Sequence, residues 1–124
     1  MAVIDLEKIF LDHQIDDDRS GGAVRIRCPA DLAAFEGHFP GEPVLPGVVQ
    51  LAAVRLFSSR IAGVELTPVS TGRVKFNGMV KPEEVIDLRV NLERQDDQWV
   101  ARFRIKRIGD KISSGTIVYK EAAG

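Results

Sequence analysis

The sequence predicts an α+β fold in which a curved antiparallel sheet wraps around one long central helix. The segment Gly47–Ala62 is apolar on nearly every helical face, which is typical of a helix that is buried on most sides. The chain after it alternates apolar and polar residues, as do antiparallel strands with one buried face. That face needs a cover, and the helix is the only candidate in the sequence.

The amino-acid composition is typical of a single globular domain and argues against several classes of protein. With 124 residues, 44% apolar and 28% charged, the chain is expected to form one globular domain spanning residues 1–124. A net charge of −1 argues against a nucleic-acid or membrane surface, and the Lys and Arg residues along the strands are interpreted as a solvated sheet face. No signal-like or membrane-spanning apolar run occurs, so a cytoplasmic protein is expected. The single Cys28 excludes an internal disulfide, and without Cys/His metal spacing no metal or cofactor is expected.

The chain before the helix is predicted to form a helical turn and two strands. Residues 1–10 have helical spacing, residues 10–17 alternate weakly, and residues 23–28 alternate cleanly until Pro29. The Asp-rich and Gly-rich residues 16–22 predict a turn. His13 lies in the first strand and is interpreted as a surface residue, since no other ligand type lies near it.

The chain after the helix is predicted to be β throughout. Gly63 is a candidate carboxyl-terminal cap for the helix. The predicted strands cover residues 71–76, 86–92, 99–105 and 111–119, with turns at 82–84, 95–98 and 109–110.

The loop before the helix is the most unusual stretch of the sequence. Pro40, Pro43 and Pro46 fix φ and remove backbone donors, so the loop is neither a helix nor a central strand. It also carries His38 and leads directly into the helix. A rigid loop of this kind can hold a histidine in place for chemistry, and the alternative is a tight connection with an incidental histidine.

Residues 37–48, Gly-His-Phe-Pro-Gly-Glu-Pro-Val-Leu-Pro-Gly-Val, resemble the signature of the 3-hydroxyacyl-[acyl carrier protein] dehydratases of the FabA/FabZ type. Residues 73–76 and 80–82 resemble the next landmark of that family, a strand that ends in a Pro turn. The resemblance implies the hot-dog fold. It also implies a lyase of fatty-acid or related polyene-type biosynthesis, which dehydrates a 3-hydroxyacyl thioester to the trans-2-enoyl thioester.

The resemblance implies roles for individual residues. His38 corresponds to the base that removes the C2 proton, and the Gly47 N–H corresponds to the group that polarises the thioester carbonyl. The candidates for the acyl-binding wall, with a plain core role as the alternative, are Phe39, Val44, Leu45 and Val48. The resemblance also implies that Ala52 belongs to the substrate-binding site.

The resemblance also implies partners. These are an acyl carrier protein or another acyl thioester, and a second hot-dog subunit, because the family builds each site from the histidine loop of one chain and the helix of the other. A homodimer or larger assembly is expected, or a heterodimer with a related subunit. Neither nucleic acid nor a membrane is expected.

One position departs from the family pattern. The family has a Glu or Asp fourteen residues after the histidine, and this chain has Ala52 there, with Leu56 one helical turn later. An alanine methyl cannot donate a proton. Gln50 does not replace the acid, because it lies about 200° around the helix from Ala52.

Three alternatives follow from this departure. In the first, the chain is a dehydratase with a substitute acid, and Glu36 is the nearest candidate in the sequence. In the second, the chain is a subunit whose partner supplies the carboxylate, and residues 45–50 also resemble the motif of dehydratase-like proteins of aryl-polyene and related carrier-protein pathways. Or it binds acyl thioesters without dehydrating them, or hydrolyses them as hot-dog thioesterases do.

Overall fold

A computed structural model describes residues 6–31 and 45–122 of the chain. It has the predicted α+β architecture, with one helix packed against one antiparallel sheet. A single 3₁₀ turn, Leu6–Ile9, precedes the first strand and confirms the helical turn predicted there. The elements that follow are β1 (Phe10–Ile15), β2 (Gly21–Arg27), α1 (Gly47–Ala62), β3 (Leu66–Phe76), β4 (Val85–Gln95), β5 (Gln98–Arg107) and β6 (Asp110–Glu121).

The six strands form a sheet in the order β1-β2-β4-β5-β6-β3. Strands β4, β5 and β6 are a meander, in which Val90 lies opposite Phe103 and Phe103 lies opposite Gly115. Strand β2 joins the meander through β4, and β3 joins it through β6. The two edges of the sheet in the described chain are therefore β1 and β3.

The core lies between α1 and the concave face of the sheet. Val54, Phe57 and Ile61, which are spaced three and four residues apart on the helix, are fully buried. They meet buried residues of the central strands, such as Leu88 and Phe103. Burying an aromatic or aliphatic side chain of this size contributes about 1.5–3 kcal/mol, so this face of the helix fixes its position on the sheet.

The carboxyl end of α1 is closed by a glycine and an arginine. Gly63 has φ 78°, and its N–H donates to the Ser59 carbonyl, which confirms the predicted cap. The Arg19 guanidinium donates to the carbonyls of Ile61 at 2.9 Å and Arg60 at 2.8 Å. Carbonyl groups at this end of the helix are thereby satisfied by a cation, which the helix dipole also favours.

Strand β3 is longer than predicted. It begins at Leu66, whereas the alternation of the sequence predicted a start at residue 71. The register shifts near Pro68 and again between Gly72 and Lys75, so the alternation is lost there. The proline is compatible with a strand because β3 lies at an edge of the sheet.

Within the described ranges, no helix is long and apolar enough to span a membrane.

Candidate active site

The first backbone amides of α1 have no hydrogen-bond partner in the part of the chain that the structure describes. Pro46 is extended and precedes the helix, and its carbonyl accepts from the N–H groups of Val49 and Gln50 at 3.1 and 3.2 Å. No described side chain caps this end, and the first turn carries no acidic residue. The N–H groups of Gly47 and Val48 have no hydrogen-bond partner among the described residues. Such amides, at the positive end of the helix dipole, favour an oxygen that gains negative charge.

Phe76 lies directly against Gly47. A Cβ built on this glycine would lie 2.7 Å from Cζ of the phenylalanine, and its three nearest atoms all belong to the same ring. Only glycine therefore allows the ring to approach the helix backbone this closely. Phe76 is 49% exposed and comes from the end of β3, so it forms one side of the site at the helix terminus.

An apolar groove of about 320 Å³ extends along α1 from this terminus. Val48 is 73% exposed, and the partly buried Ala52 follows it one turn later on the same helical face. The complete lining is Val48, Leu51, Ala52 and Arg55 from the helix, and Pro68, Thr71, Ile117 and Tyr119 from β3 and β6. The helix is thus apolar on a face that the sheet of this chain does not cover.

The structure separates the predicted acyl-binding residues. Val48 and Ala52 both line the groove, and their acyl-binding role stays a prediction. Leu45 instead belongs to the buried core, and its N–H donates to the Val80 carbonyl at 2.8 Å. Its position matches the core role that was the alternative for this residue. His38, Phe39 and Val44 lie outside the described residues, as does Glu36, so their predicted roles stay predictions.

No described carboxylate lines the groove beside Ala52. The polar side chains there belong to Thr71, Arg55 and the buried Tyr119. Burial raises the pKa of the Tyr119 phenol well above its ordinary value, against the smaller lowering effects of the Ser58 hydroxyl and the Arg55 charge. Although those two hydroxyls lie close enough to interact, neither has a hydrogen-bond partner of normal geometry in the described chain.

Gln50 points away from the groove, as its helical angle predicted. Its side chain is buried, and its Oε1 accepts a hydrogen bond of 2.8 Å from the Ser113 hydroxyl on β6. Its Nε2 makes a longer contact of 3.5 Å to the Leu45 carbonyl. Nothing in the sequence indicates this pairing, because the two residues are far apart in the chain and Ser113 resembles any other polar strand residue.

His13 lies exposed on β1, and its ring packs in a T-shaped arrangement with the Phe57 ring at a centroid distance of 6.5 Å. Within the parts of the chain that the structure describes, no cluster of three or more His, Cys, Asp or Glu residues could hold a metal ion.

Comparison with known proteins decides the family. The model of the ApeI-like family, described as ApeI dehydratase, matches residues 13–116. The chain belongs to the ApeI-like dehydratase family. Among curated relatives, the 3-hydroxyacyl-[acyl-carrier-protein] dehydratase FabZ of Oenococcus oeni is 35% identical over 95 residues, which cover 68% of this chain and 67% of that protein. FabZ of Lactiplantibacillus plantarum is 32% identical over 117 residues, covering 87% of this chain and 79% of that protein. A third FabZ, from Novosphingobium aromaticivorans, is matched over 56% of its length at 33% identity.

Solved structures confirm the hot-dog fold. The dehydratase heterocomplex ApeI:P from Xenorhabdus doucetiae superposes with a TM-score of 0.76 at 22% identity, covering 91% of this chain and 97% of that chain. A hypothetical thioesterase with coenzyme A from Streptococcus pneumoniae superposes with a TM-score of 0.69 at 10% identity, covering 94% and 91%. At these identities the likeness concerns the fold.

Proposed function

We propose that this member of the ApeI-like family acts on 3-hydroxyacyl thioesters of fatty-acid or polyene-type biosynthesis and dehydrates them to trans-2-enoyl thioesters. The proposal is supported by two features that lie side by side at the start of α1. The amides of Gly47 and Val48, which have no partner among the described residues, suit a thioester carbonyl. The apolar groove that begins at Val48 suits the acyl chain attached to that carbonyl.

In the proposed reaction, His38 takes the proton from C2 of the substrate. The electron pair of the C2–H bond moves toward C1, and the thioester oxygen gains negative charge, which the Gly47 N–H and the helix dipole stabilise. The pair then forms the C2–C3 double bond as the C3–O bond breaks. The departing hydroxyl needs a proton to leave as water, and Ala52 stands where the family's acid would supply it.

A second function, that of a heteromeric subunit, is favoured by the same alanine and by the unpartnered edge of the sheet. Strand β3 lies at this edge and is exposed over most of its length, including Val69. A free strand edge is a template for pairing with another chain. In this proposal a related hot-dog subunit pairs along β3, and the carboxylate on its helix completes the site that holds the histidine loop of this chain.

A thioesterase function receives less support from the groove. Hydrolysis of a thioester needs a group that activates water, and no described carboxylate lines the groove. The thioesterases among the structural neighbours share the fold with this chain at low identity.

The deciding experiment compares the native chain with Ala52→Glu and Ala52→Gln on a 3-hydroxyacyl carrier-protein substrate, with products identified by mass spectrometry. The two variants introduce side chains of nearly equal size, but only Glu can donate a proton. We expect slow dehydration by the native chain and an increase in Ala52→Glu on the order of 10²–10⁴, the range that a general acid contributes. We expect little increase in Ala52→Gln.

Three results would separate the alternatives. Turnover by His38→Ala equal to that of the native chain would remove the histidine from the mechanism. Rapid turnover by the native chain, unchanged in Ala52→Glu, would mean that another group supplies the proton. Release of a free 3-hydroxy acid in place of the enoyl thioester would identify a thioesterase.

A further inference from the structure

The connection between β3 and β4, residues 77–84, contacts the start of α1 in two places. Phe76, the last residue of β3, places its ring on Gly47. Further along, the carbonyl of the buried Val80 accepts a hydrogen bond of 2.8 Å from the N–H of Leu45, which lies just before the helix. The position of this connection therefore fixes the path by which the chain enters α1.

Arg107 holds the connection to the sheet. It lies at the end of β5, where its Nη1 donates to the Met79 carbonyl at 2.9 Å and lies 3.0 Å from each oxygen of the Glu84 carboxylate. Its Nη2 donates to Asp110 at 3.2 Å. Such charge-assisted hydrogen bonds are roughly twice as strong as neutral ones. Because the Met79 carbonyl belongs to the peptide that joins Met79 to Val80, the guanidinium acts directly beside the Val80 carbonyl.

The connection needs outside contacts because its own turn is strained. Glu83 has φ 71°, a left-handed conformation that is unfavourable for a residue with a side chain. Such a conformation persists only where the surrounding structure fixes it, and here the Glu83 N–H donates to the Cys28 carbonyl at 2.8 Å. In the same turn, the Glu84 oxygen that accepts from Arg107 also accepts from the Lys81 N–H at 2.7 Å. The Glu84 carboxylate therefore links the strained turn to Arg107.

We infer that Arg107 is a positioning residue for the candidate active site. By fixing the connection it sets the Val80 carbonyl and the entry of the chain into α1, and thereby the direction of the Gly47 and Val48 N–H groups. This inference rests on the proposed function, in which those amides stabilise the thioester oxygen. It adds a residue that touches no substrate. Direction matters because a displacement of about 1 Å can lower a rate about 10²-fold.

The test compares Arg107→Met with a matched variant, Arg89→Met. Methionine keeps an unbranched stem but donates no hydrogen bond. Arg89 pairs with Asp16 at 2.8 Å, and the side chains of this pair are 37% and 35% exposed, against 28% and 30% for the pair of Arg107. Asp16 lies in the β1–β2 turn, whose Arg19 binds carbonyls at the opposite end of α1. Both variants therefore lose an ion pair of the same kind, but only one pair lies beside the site.

Amide hydrogen exchange measures the positioning without any reaction. The hydrogen bond to Val80 protects the Leu45 N–H in the native chain. In Arg107→Met we expect this N–H to exchange about tenfold faster or more, and the amide chemical shifts of Gly47 and Val48 to change. In Arg89→Met we expect both to match the native chain. Equal exchange of the Leu45 N–H in the two variants would overturn the inference.

Kinetics on a 3-hydroxyacyl-pantetheine thioester measure the consequence for the site, well below the thermal midpoints of both variants. For Arg107→Met we expect kcat to fall about 10–100-fold, because the amides are misdirected. We expect KM to stay nearly unchanged, because the groove along α1 is not held by the connection. Arg89→Met should retain the native kcat. A loss confined to KM, or shared by both variants, would overturn the inference.

The two measurements keep the inference separate from the proposed reaction. If Arg107→Met exposes the Leu45 N–H to exchange while the native chain dehydrates no thioester, the positioning role stands and the reaction falls. If the native chain dehydrates the thioester and Arg107→Met does so with the same kcat, the reaction stands and the positioning role falls.

Discussion

Gln50 and Ser113 form a buried hydrogen bond of 2.8 Å between the first turn of α1 and strand β6. Ser113 is also the cross-strand partner of Phe76, whose ring lies on Gly47. Ser113 is thus linked to the start of α1 twice. It donates a hydrogen bond to Gln50, and its strand partner Phe76 contacts Gly47. We infer that these contacts set the position of the free amides relative to the sheet.

Ser113→Ala tests this linkage. The substitution leaves the buried Gln50 amide oxygen without its donor, and an unsatisfied buried polar group costs about 1–3 kcal/mol in the free energy of unfolding. We expect a loss in this range by urea denaturation, and a fall in kcat with KM little changed, because the amides are displaced more than the groove. Ser113→Thr retains the hydroxyl and should recover most of kcat.

The matched control is Ser58→Ala, which removes another buried hydroxyl, one that has no hydrogen-bond partner of normal geometry in the described chain. It lies near the other end of α1. We expect it to change stability and kcat less than Ser113→Ala does. If the two alanine variants have the same kcat, the hydrogen bond to Gln50 does not position the site.

Gly47→Ala and Phe76→Ala form a second test, by a double-mutant cycle. The new methyl group at position 47 would lie within 3 Å of the Phe76 ring, so the single substitution should cost about 1–3 kcal/mol of stability through overpacking. Removing the ring as well should abolish this cost, because the three nearest atoms all belong to Phe76. Additive effects in urea denaturation would show that the methyl group clashes with something else.

The sequence predicted the helix and most of the strands because these depend on local patterns. The bounds of α1 and the cap at Gly63 follow from apolar periodicity and from a glycine at the right place. The start of β3 at Leu66 was missed because Pro68 and the irregular register hide the alternation, and only its edge position makes the proline acceptable.

The site was less predictable than the fold because its contacts are long-range. Val48 and Ala52 follow from a motif and helical spacing, so the sequence was sufficient to place them together. The contact of Phe76 with Gly47 and the bond of Ser113 to Gln50 depend on how the strands align beneath the helix. On the outer face of the sheet, Lys106 lies opposite Lys111, and this pairing depends on the same register. The alternating pattern predicted a solvated face but did not indicate which residues face each other across the strands.

Val48→Lys tests the proposal that the exposed helix face is covered by a second subunit. Val48 is 73% exposed in the single chain, so a lysine there should leave the fold intact. In a dimer the same side chain would bury a charge in an apolar interface, and we expect the assembly to dissociate. Light scattering after size-exclusion chromatography measures the mass of the assembly.

The control is Ile108→Lys on the β5–β6 turn. Ile108 is 96% exposed, so this substitution should leave the mass unchanged. A native chain that is already monomeric at every concentration would contradict pairing between identical copies and leave the heteromeric subunit as the form to isolate.

Cys28 predicts a loss of stability at alkaline pH. The thiol is 1% exposed, and its burial raises its pKa to about 11, whereas an unfolded cysteine has a pKa of about 8.5. The unfolded chain therefore loses this proton first as pH rises. The stability that the neutral thiol contributes is complete below about pH 8.5 and is lost between there and pH 11, and the loss reaches about 2–3 kcal/mol.

The experiment is urea denaturation of the native chain and Cys28→Ala at pH 7 and pH 10.5. The free energy of unfolding of Cys28→Ala should decline less than that of the native chain, by about this amount. The buried Tyr119 phenol, whose pKa is also raised by burial, contributes a decline that is common to both proteins and cancels in the difference. Parallel declines in the two proteins would mean that the thiol is not protected from ionisation. Rapid labelling of the native thiol at neutral pH would likewise show that it is accessible in the folded chain.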